Sequence, residues 1–303
     1  MTMNIQELLG IKYPIIQGAM AGIADAVLAS SVSNAGGLGI IASGGMSTEA
    51  VREEIRKCKT LTDKPFGVNV MLMAPNKDEI AKVLVEENVA VVTTGAGKPA
   101  PYIEMWKQAG IKIIPVIANV KQAKKVEYLG VDAVIAEGME AGGHIGETTT
   151  MCLLPQVSDA VKIPVIAAGG IADGRAMKAV EILGAKGVQI GTLFLATEEC
   201  KIHNNYKQAV INATDTDTVV TGRSLNNAVR CIKNPMTEKY LEIEKTMSDR
   251  EELEKLTIGS LRKAVLEGDI ENGSMMAGQI CGKVNEIKTV KQTIEDLMTE
   301  YQQ

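Results

Sequence analysis

The residues best suited to chemistry in this sequence lie in the stretch EGMEAGGHIG, residues 137–146. It follows a short apolar run, residues 133–136, and contains His144, one of only two histidines in the chain. Its four glycines let the backbone approach a ligand closely, and the imidazole of a histidine titrates near neutral pH. Together with the rest of the chain, this pattern favours a catalytic loop over a glycine-rich turn with an incidental histidine.

Small, glycine-rich segments also follow four other apolar runs, and Asn69 lies near the end of a fifth. These segments are residues 17–22, 93–97, 167–173 and 189–192. In a barrel, the turns after strands seven and eight commonly bind phosphate through backbone N–H groups. The pairs Gly169-Gly170 and Gly191-Thr192 therefore form the predicted phosphate site. Glycine-rich loops at the ends of so many predicted strands favour a broad, flat ligand such as flavin mononucleotide (FMN) over a small sugar phosphate.

Eight short apolar runs, rich in Val and Ile, must position these loops. They are residues 13–17, 38–41, 66–70, 89–93, 112–116, 133–136, 163–167 and 188–190. Each run is continuous rather than alternating, which is typical of parallel strands buried on both faces, and helix-like segments separate them. Eight such units predict an α/β fold of the TIM (β/α)8 barrel type. A doubly wound open sheet, which usually has about five or six strands, is the weaker alternative.

The repeat stops after Gly191, although a plain barrel needs only one more helix. Residues 197–256 are richer in polar side chains than the repeats before them. We therefore expect residues 1–196 and 257–303 to form the barrel. Residues 197–256 are expected to form an inserted, mainly helical cap after strand eight, over the mouth of the barrel.

Composition excludes several classes of protein. The net charge of −5 gives no electrostatic reason to expect a nucleic acid partner. Five scattered cysteines without a C-x-x-C pair argue against a disulfide framework or a zinc site, so we expect buried, unreactive thiols and no metal. No apolar run approaches the roughly 20 residues of a membrane span, and the first residues lack a signal-peptide pattern. These features predict a cytoplasmic protein.

Several strings resemble the flavin-dependent family that contains nitronate monooxygenases and enoyl-acyl-carrier-protein reductase II, the FabK type. The resemblance covers nearly the whole chain. Its strings are PIIQGAM (14–20), NAGGLG (34–39), KPFGVN (64–69), TTGAG (93–97), EAGGH (140–144) and IAAGGI (166–171). Three strings are closer to the reductase branch: AEGMEAGGHIG (136–146), AVRCIKN (228–234) and GSMMAGQ (273–279).

The resemblance implies an FMN-dependent enzyme that uses NADH or NADPH to reduce a trans-2-enoyl thioester on acyl carrier protein, in fatty acid elongation. It implies that His144 is the catalytic residue. The residues that it places around the cofactor, as ring, phosphate and covering contacts, are Gly18, Ala19, Met20, Asn69, Glu137, Gly143, Ala168, Gly169, Gly170, Gly191, Thr192, Met276 and Gln279.

The resemblance also bears on partners and on rival functions. It implies a homodimer. Because acyl carrier protein is acidic, the cap residues Arg223, Arg230, Lys233 and Lys239 are candidates for its docking surface, although scattered solvated cations explain them equally well. The main rival function is a nitronate monooxygenase, which oxidises alkyl nitronates with O₂. A non-catalytic flavin-binding barrel is a second, weaker rival.

Overall fold

Eight parallel strands form the barrel in a computed structural model that describes residues 4–246 and 250–303. The barrel strands are β1 (Ile15–Gln17), β2 (Gly39–Ala42), β3 (Phe66–Met71), β4 (Val91–Gly95), β5 (Lys112–Ile117), β6 (Val134–Glu137), β8 (Val165–Ala168) and β9 (Gly187–Ile190). They pair in the order β1-β9-β8-β6-β5-β4-β3-β2, and a bridge between Ile16 and Leu38 returns β1 to β2. Each strand overlaps one of the eight predicted runs, so the TIM barrel prediction is confirmed.

Helices alternate with these strands and cover the outside of the barrel. In α3, Val51, Ile55 and Cys58 repeat at helical spacing and are fully buried, while the Ser47 side chain caps the helix by accepting from the Ala50 N–H. The remaining helices of the barrel region are α1 (Ile5–Leu9), α2 (Ala26–Asn34), α4 (Lys77–Glu86), α5 (Ile103–Gln108), α6 (Val120–Tyr128), α7 (Thr150–Ala160), α8 (Gly174–Ile182), α9 (Thr192–Leu195) and the closing α14 (Val290–Gln302), beside α3 (Thr48–Leu61).

The strands alternate between two apolar layers, and this alternation decides which side chains face the barrel interior. Ile114 and Ile135 pack inside with Ile5 and Leu9 of α1, whereas their neighbours in sequence pack against the surrounding helices. Side chains in a strand alternate between the two faces. At the carboxyl ends of the strands, this alternation points four polar side chains into the barrel. These side chains are Asn69, Thr93, Glu137 and Gln189.

The cap region has three helices, α10 (Asn204–Asn212), α11 (Pro235–Thr246) and α12 (Arg250–Thr257), the last of which ends one residue beyond the predicted boundary. The cap is therefore mainly helical, as predicted. The sequence did not predict the hairpin of β10 (Thr218–Thr221) and β11 (Val229–Ile232) within it. Strand β11 also pairs with β7 (Gly143–His144), in an antiparallel sheet ordered β10-β11-β7. The cap is thus hydrogen-bonded to the segment that carries His144.

After the cap, the chain returns through α13 (Ser260–Arg262), a π-helical turn (Lys263–Glu267) and a 3-10 turn (Gln279–Lys283). Within residues 4–246 and 250–303, no helix is both long enough and apolar enough to cross a membrane.

The cysteine prediction is mostly confirmed. All five are free thiols, and four are buried; burial raises the pKa of Cys58 and Cys231 to about 12, which keeps them protonated and poorly nucleophilic. The prediction is wrong for Cys152, which is exposed because it lies on the solvent side of α7.

Candidate active site

The loops after β1 and β9 meet at the mouth of the barrel. The Gly18 N–H donates to the Ile190 carbonyl at 2.7 Å. A Cβ on Gly18 would lie 3.4 Å from the Gly191 Cα, and the Met20 sulfur would lie 3.8 Å from a Cβ on Gly191. Three residues predicted to contact the cofactor, Gly18, Met20 and Gly191, are therefore neighbours. The two glycines leave backbone exposed at this part of the mouth, beside the Met20 side chain.

The turn after β8 has backbone geometry that suits glycine. Gly169 and Gly170 have φ angles of 96° and 76°, and a Cβ on Gly169 would lie only 2.9 Å from the Gly138 carbonyl oxygen. The β8–β9 register places the Gly169 N–H against the Gln189 carbonyl, whereas the Gly170 N–H makes no hydrogen bond to the described residues. A free donor at the predicted phosphate position can bind an anion.

Thr192 completes this side of the mouth. Its side-chain oxygen accepts the Gly278 N–H at 2.9 Å, which leaves the hydroxyl hydrogen free to donate to a ligand. The contact also brings the segment that returns from the cap against the loop after β9.

The polar residues that face the interior differ in how they are held. The Asn69 side-chain amide donates to Thr93 Oγ1 at 3.0 Å, which fixes its orientation at the ends of β3 and β4. Glu137 lies opposite Ala168 in the β6–β8 register, and its carboxyl group makes no hydrogen bond or ion pair within the described chain. Burial raises the pKa of Glu137 to about 7. Near neutral pH this carboxyl group can therefore either donate or accept a hydrogen bond.

The loop that carries His144 is fixed through its backbone, not through the imidazole. Gly143 has a φ angle of 77° and pairs with Arg230, while His144 pairs with Val229. The next N–H, of Ile145, donates to the Ala228 carbonyl at 3.0 Å. The His144 side chain is exposed and makes no bond to the residues described here, so its ring nitrogens are free to meet a ligand.

The returning segment lies directly over this loop. A Cβ on Gly143 would lie 3.5 Å from the Met276 sulfur, and the Gln279 N–H donates to the Glu140 carbonyl at 2.9 Å. The Tyr206 hydroxyl of α10 in turn donates to the Met276 carbonyl at 2.7 Å. The structure thus brings Met276 and Gln279 to the loop of residues 137–146, where the resemblance implied that they close over the cofactor.

Sequence reasoning missed the role of Glu140. Its carboxylate accepts the Thr150 N–H at 2.9 and 3.0 Å and the Thr150 hydroxyl at 3.0 Å, so it caps α7. The same hydroxyl is 3.0 Å from the Gly169 carbonyl, which links the catalytic loop to the predicted phosphate turn. No local signal indicates this contact, because Glu140 lies ten residues before Thr150 and Glu147 is the carboxylate that directly precedes TTT (148–150).

The prediction that Arg230 belongs to a docking surface is wrong. Only 3% of Arg230 is exposed, because β11 pairs with β7 and carries the side chain under the catalytic loop. Arg223, Lys233 and Lys239 are exposed, and Lys239 forms an ion pair with Glu252 at 2.5 Å.

The residues present fit a flavin nucleotide. The Gly170 N–H and the Thr192 hydroxyl offer free donors for a phosphate, and Gly18 and Gly191 leave space for a flat ring against the backbone. Asn69 and Glu137 supply polar groups at the inner edge. Among the residues that the structure describes, no three His, Cys, Asp or Glu side chains cluster as metal ligands.

Known proteins share both the fold and the sequence pattern. The nitronate monooxygenase family matches residues 3–87 and 76–300. The structure of FabK from Thermotoga maritima is 49% identical, with a TM-score of 0.97, and the match covers 100% of this chain and 97% of that one. A probable nitronate monooxygenase of Staphylococcus aureus is 35% identical, over 91% of each chain. A 5-hydroxy-7a-methyl-1-oxo-octahydro-1H-indene-4-carboxyl-CoA dehydrogenase of Rhodococcus jostii is 33% identical, over 98% of this chain and 94% of its own.

The barrel, the glycine-lined strand ends and these relatives define a TIM-barrel flavoprotein of the oxidoreductase class. The chain belongs to the nitronate monooxygenase family, and within it to the FabK type.

Proposed function

We propose that the protein reduces the double bond of a trans-2-enoyl thioester on acyl carrier protein, with FMN as cofactor and NADH or NADPH as reductant. The observation that carries the proposal is the 49% identity to Thermotoga maritima FabK, because the match extends over the cap as well as the barrel. The carboxyl-CoA substrate in the name of the Rhodococcus relative supports thioester chemistry in this family.

The residues of the mouth have separate tasks in this proposal. FMN, when bound, would supply hydride transfer from reduced nicotinamide to the β-carbon of the enoyl thioester. Gly169, Gly170 and Thr192 would hold the phosphate, while Asn69 and Glu137 would orient the ring. Gly143 would lie beside the ring, and its φ of 77° is the reason that this position favours glycine.

His144 would lower the barrier of the reduction. Negative charge builds on the thioester oxygen until the α-carbon takes up a proton. An imidazole N–H of His144 would donate to that oxygen or pass its proton to the α-carbon, and such donors typically contribute about 10²- to 10⁴-fold. The unpartnered, exposed side chain and the paired backbone of β7 support this role.

A steady-state assay tests the proposed function. Purified, FMN-loaded protein is mixed with NADH or NADPH and crotonyl-CoA without oxygen, and nicotinamide absorbance is followed. We expect consumption that depends on crotonyl-CoA. The proposal would be refuted if crotonyl-CoA causes no consumption of NADH or NADPH and a carrier-linked enoyl substrate causes none either.

Nitronate oxidation is the second candidate function, favoured by the family match and by the Staphylococcus aureus relative. It needs O₂ and no nicotinamide, so propionate 3-nitronate under air separates the two. Rapid nitronate loss without enoyl reduction would favour the monooxygenase.

Docking of acyl carrier protein is part of the proposal. Arg223 and Lys233 are exposed cations of the cap. Reversing both to glutamate should raise KM for a carrier-linked substrate about tenfold and leave KM for crotonyl-CoA unchanged. The control is Lys124→Glu on α6, an equally exposed cation outside the cap. Equal effects on both substrates would exclude docking there.

Two further features rest on the resemblance. We propose a homodimer, which sedimentation equilibrium would test directly. The choice between NADH and NADPH would follow from the ratio of kcat/KM for the two reductants in the assay above.

A further inference from the structure

Arg230 lies in AVRCIKN, a string that resembles the reductase branch but has no part in the proposed chemistry. Its guanidinium donates twice to the Met139 carbonyl, from Nε at 3.1 Å and from Nη2 at 2.9 Å. The third bond, from Nη1, goes to Thr218 Oγ1 at 3.0 Å. The Arg230 side chain thus joins Thr218 of β10 to Met139, in the loop that carries His144.

The position of this charge is unusual. Arg230 is only 3% exposed, and within the described chain no carboxylate lies within ion-pair distance of its guanidinium. Burying an arginine without an ion pair is unfavourable, and an apolar residue would fill the same space more cheaply. Its rigid, planar group of donors can, however, fix two partners in one geometry, which an apolar side chain cannot do.

The loop is held from three sides, and Arg230 supplies the side that comes from the cap. From the barrel, the Ala168 carbonyl of β8 accepts the Gly138 N–H at 2.9 Å. From the returning segment, Ala277 packs so closely that a Cβ on Gly142 would lie 2.6 Å from its carbonyl carbon. From the cap, Arg230 holds Met139 and pairs through its own backbone with Gly143.

We propose that Arg230 is a positioning residue that clamps the catalytic loop to the cap hairpin and so sets the position of His144. Arg230 itself touches neither substrate nor cofactor. The role assigned to His144 rests on the proposed function, whereas the clamp itself does not. Without the clamp the loop remains connected but moves, so the imidazole spends less time at the reacting atoms.

The test compares FMN-loaded wild type with Arg230→Met, Arg230→Lys, Thr218→Val and the control Arg262→Met. Arg262 is an exposed arginine of α13, so its loss removes a positive charge without removing a bond to Met139 or Thr218. Two readouts are measured: kcat and KM with NADH and crotonyl-CoA, and hydrogen exchange at the Ile145 amide, which bonds to Ala228.

For Arg230→Met we expect kcat to fall at least tenfold, KM for NADH to change less than threefold, and Ile145 exchange to rise at least tenfold. Arg230→Lys, which keeps the charge and a single donor group, should recover part of both losses. Thr218→Val removes only the hairpin bond and should give a smaller change of the same kind. Arg262→Met should behave like wild type.

Wild-type exchange at Ile145 and wild-type kcat in both Arg230→Met and Thr218→Val would overturn the clamp. So would a loss confined to KM. If Arg230→Met does not fold, Thr218→Val alone decides between these outcomes. If the wild type shows no reductase activity but exchange at Ile145 rises in the variants, the proposed function fails while the clamp stands.

Discussion

The predicted phosphate turn takes its position from the end of a barrel strand, whereas the loop that carries His144 is held by distant parts of the chain. Gly169 and Gly170 directly follow β8. The loop around His144 depends instead on backbone pairing with β11, on the Arg230 side chain and on the segment that contains Met276. A turn at a strand end tolerates little change in its glycines, while a loop held by remote contacts can be loosened without unfolding the barrel.

The largest effect is expected from the catalytic loop. His144→Ala should lower kcat for crotonyl-CoA reduction by about 10²- to 10⁴-fold, because the developing charge loses its donor. FMN absorbance after gel filtration should be unchanged. The control is His203→Ala, since the other histidine caps α10 within the cap. Undiminished turnover in His144→Ala would remove this residue from the mechanism.

The two glycines of the phosphate turn should differ in their effect on stability. Gly169→Ala combines a φ of 96° with a Cβ 2.9 Å from the Gly138 carbonyl, so we expect a loss of roughly 2–3 kcal/mol. At Gly170 the nearest atom would be Glu140 Cβ at 3.6 Å, so Gly170→Ala should lose only about 1 kcal/mol. Urea unfolding of the two variants measures the difference, and equal losses would contradict this geometry.

Glu137 should make the stability of the FMN-free protein depend on pH. Its folded pKa of about 7 lies above the ordinary value of 4.5, so between these values the folded state binds more protons than the unfolded state. Its contribution to stability is therefore present below about pH 4.5 and is lost as pH rises towards 7.

Glu137→Gln should abolish this dependence. Relative to wild type, the variant should gain stability on the order of 2 kcal/mol at pH 8 and nothing at pH 4.5. Urea midpoints at both pH values measure it, with Glu147→Gln, an exposed carboxylate of the same loop, as the control. A gain that is the same at both pH values would show that the carboxyl group titrates normally.

The smallest effect concerns the start of α7. Thr149 occupies the capping position by sequence but makes no capping bond, whereas Glu140 accepts the Thr150 N–H. Glu140→Ala should therefore cost about 1 kcal/mol and Thr149→Ala only a few tenths. Thermal melting of both variants checks the order, and the reverse order would mean that the threonine is the true cap.

Much of the barrel follows from the sequence, for a physical reason. Parallel strands buried on both faces need continuous apolar runs, and the loops at their carboxyl ends share one edge. The positions of the eight runs therefore predict that Gly18, Asn69, Gly169 and Gly191 lie at the same mouth of the barrel. Glycine is informative there because positive φ angles and close approaches exclude most other residues.

The cap was harder to predict because its contacts are remote in sequence. The hairpin strand TVVT is short and follows a Thr/Asp stretch, so the local pattern indicates a polar insertion and not a strand. Nothing local indicates that Val229 pairs with His144, and without that pairing Arg230 looks like one more surface cation. The same holds for Glu140, whose partner Thr150 lies ten residues further along the chain.

Comparing FMN with riboflavin as ligands of the FMN-free protein tests the phosphate site most directly. Two charge-assisted bonds, from the Gly170 N–H and the Thr192 hydroxyl, are worth about 3 kcal/mol or more together, so FMN should bind at least about 100-fold more tightly than riboflavin. Gly170→Ala should weaken FMN binding and leave riboflavin binding unchanged. Equal dissociation constants for the two flavins in the wild type would contradict a phosphate site at the ends of β8 and β9.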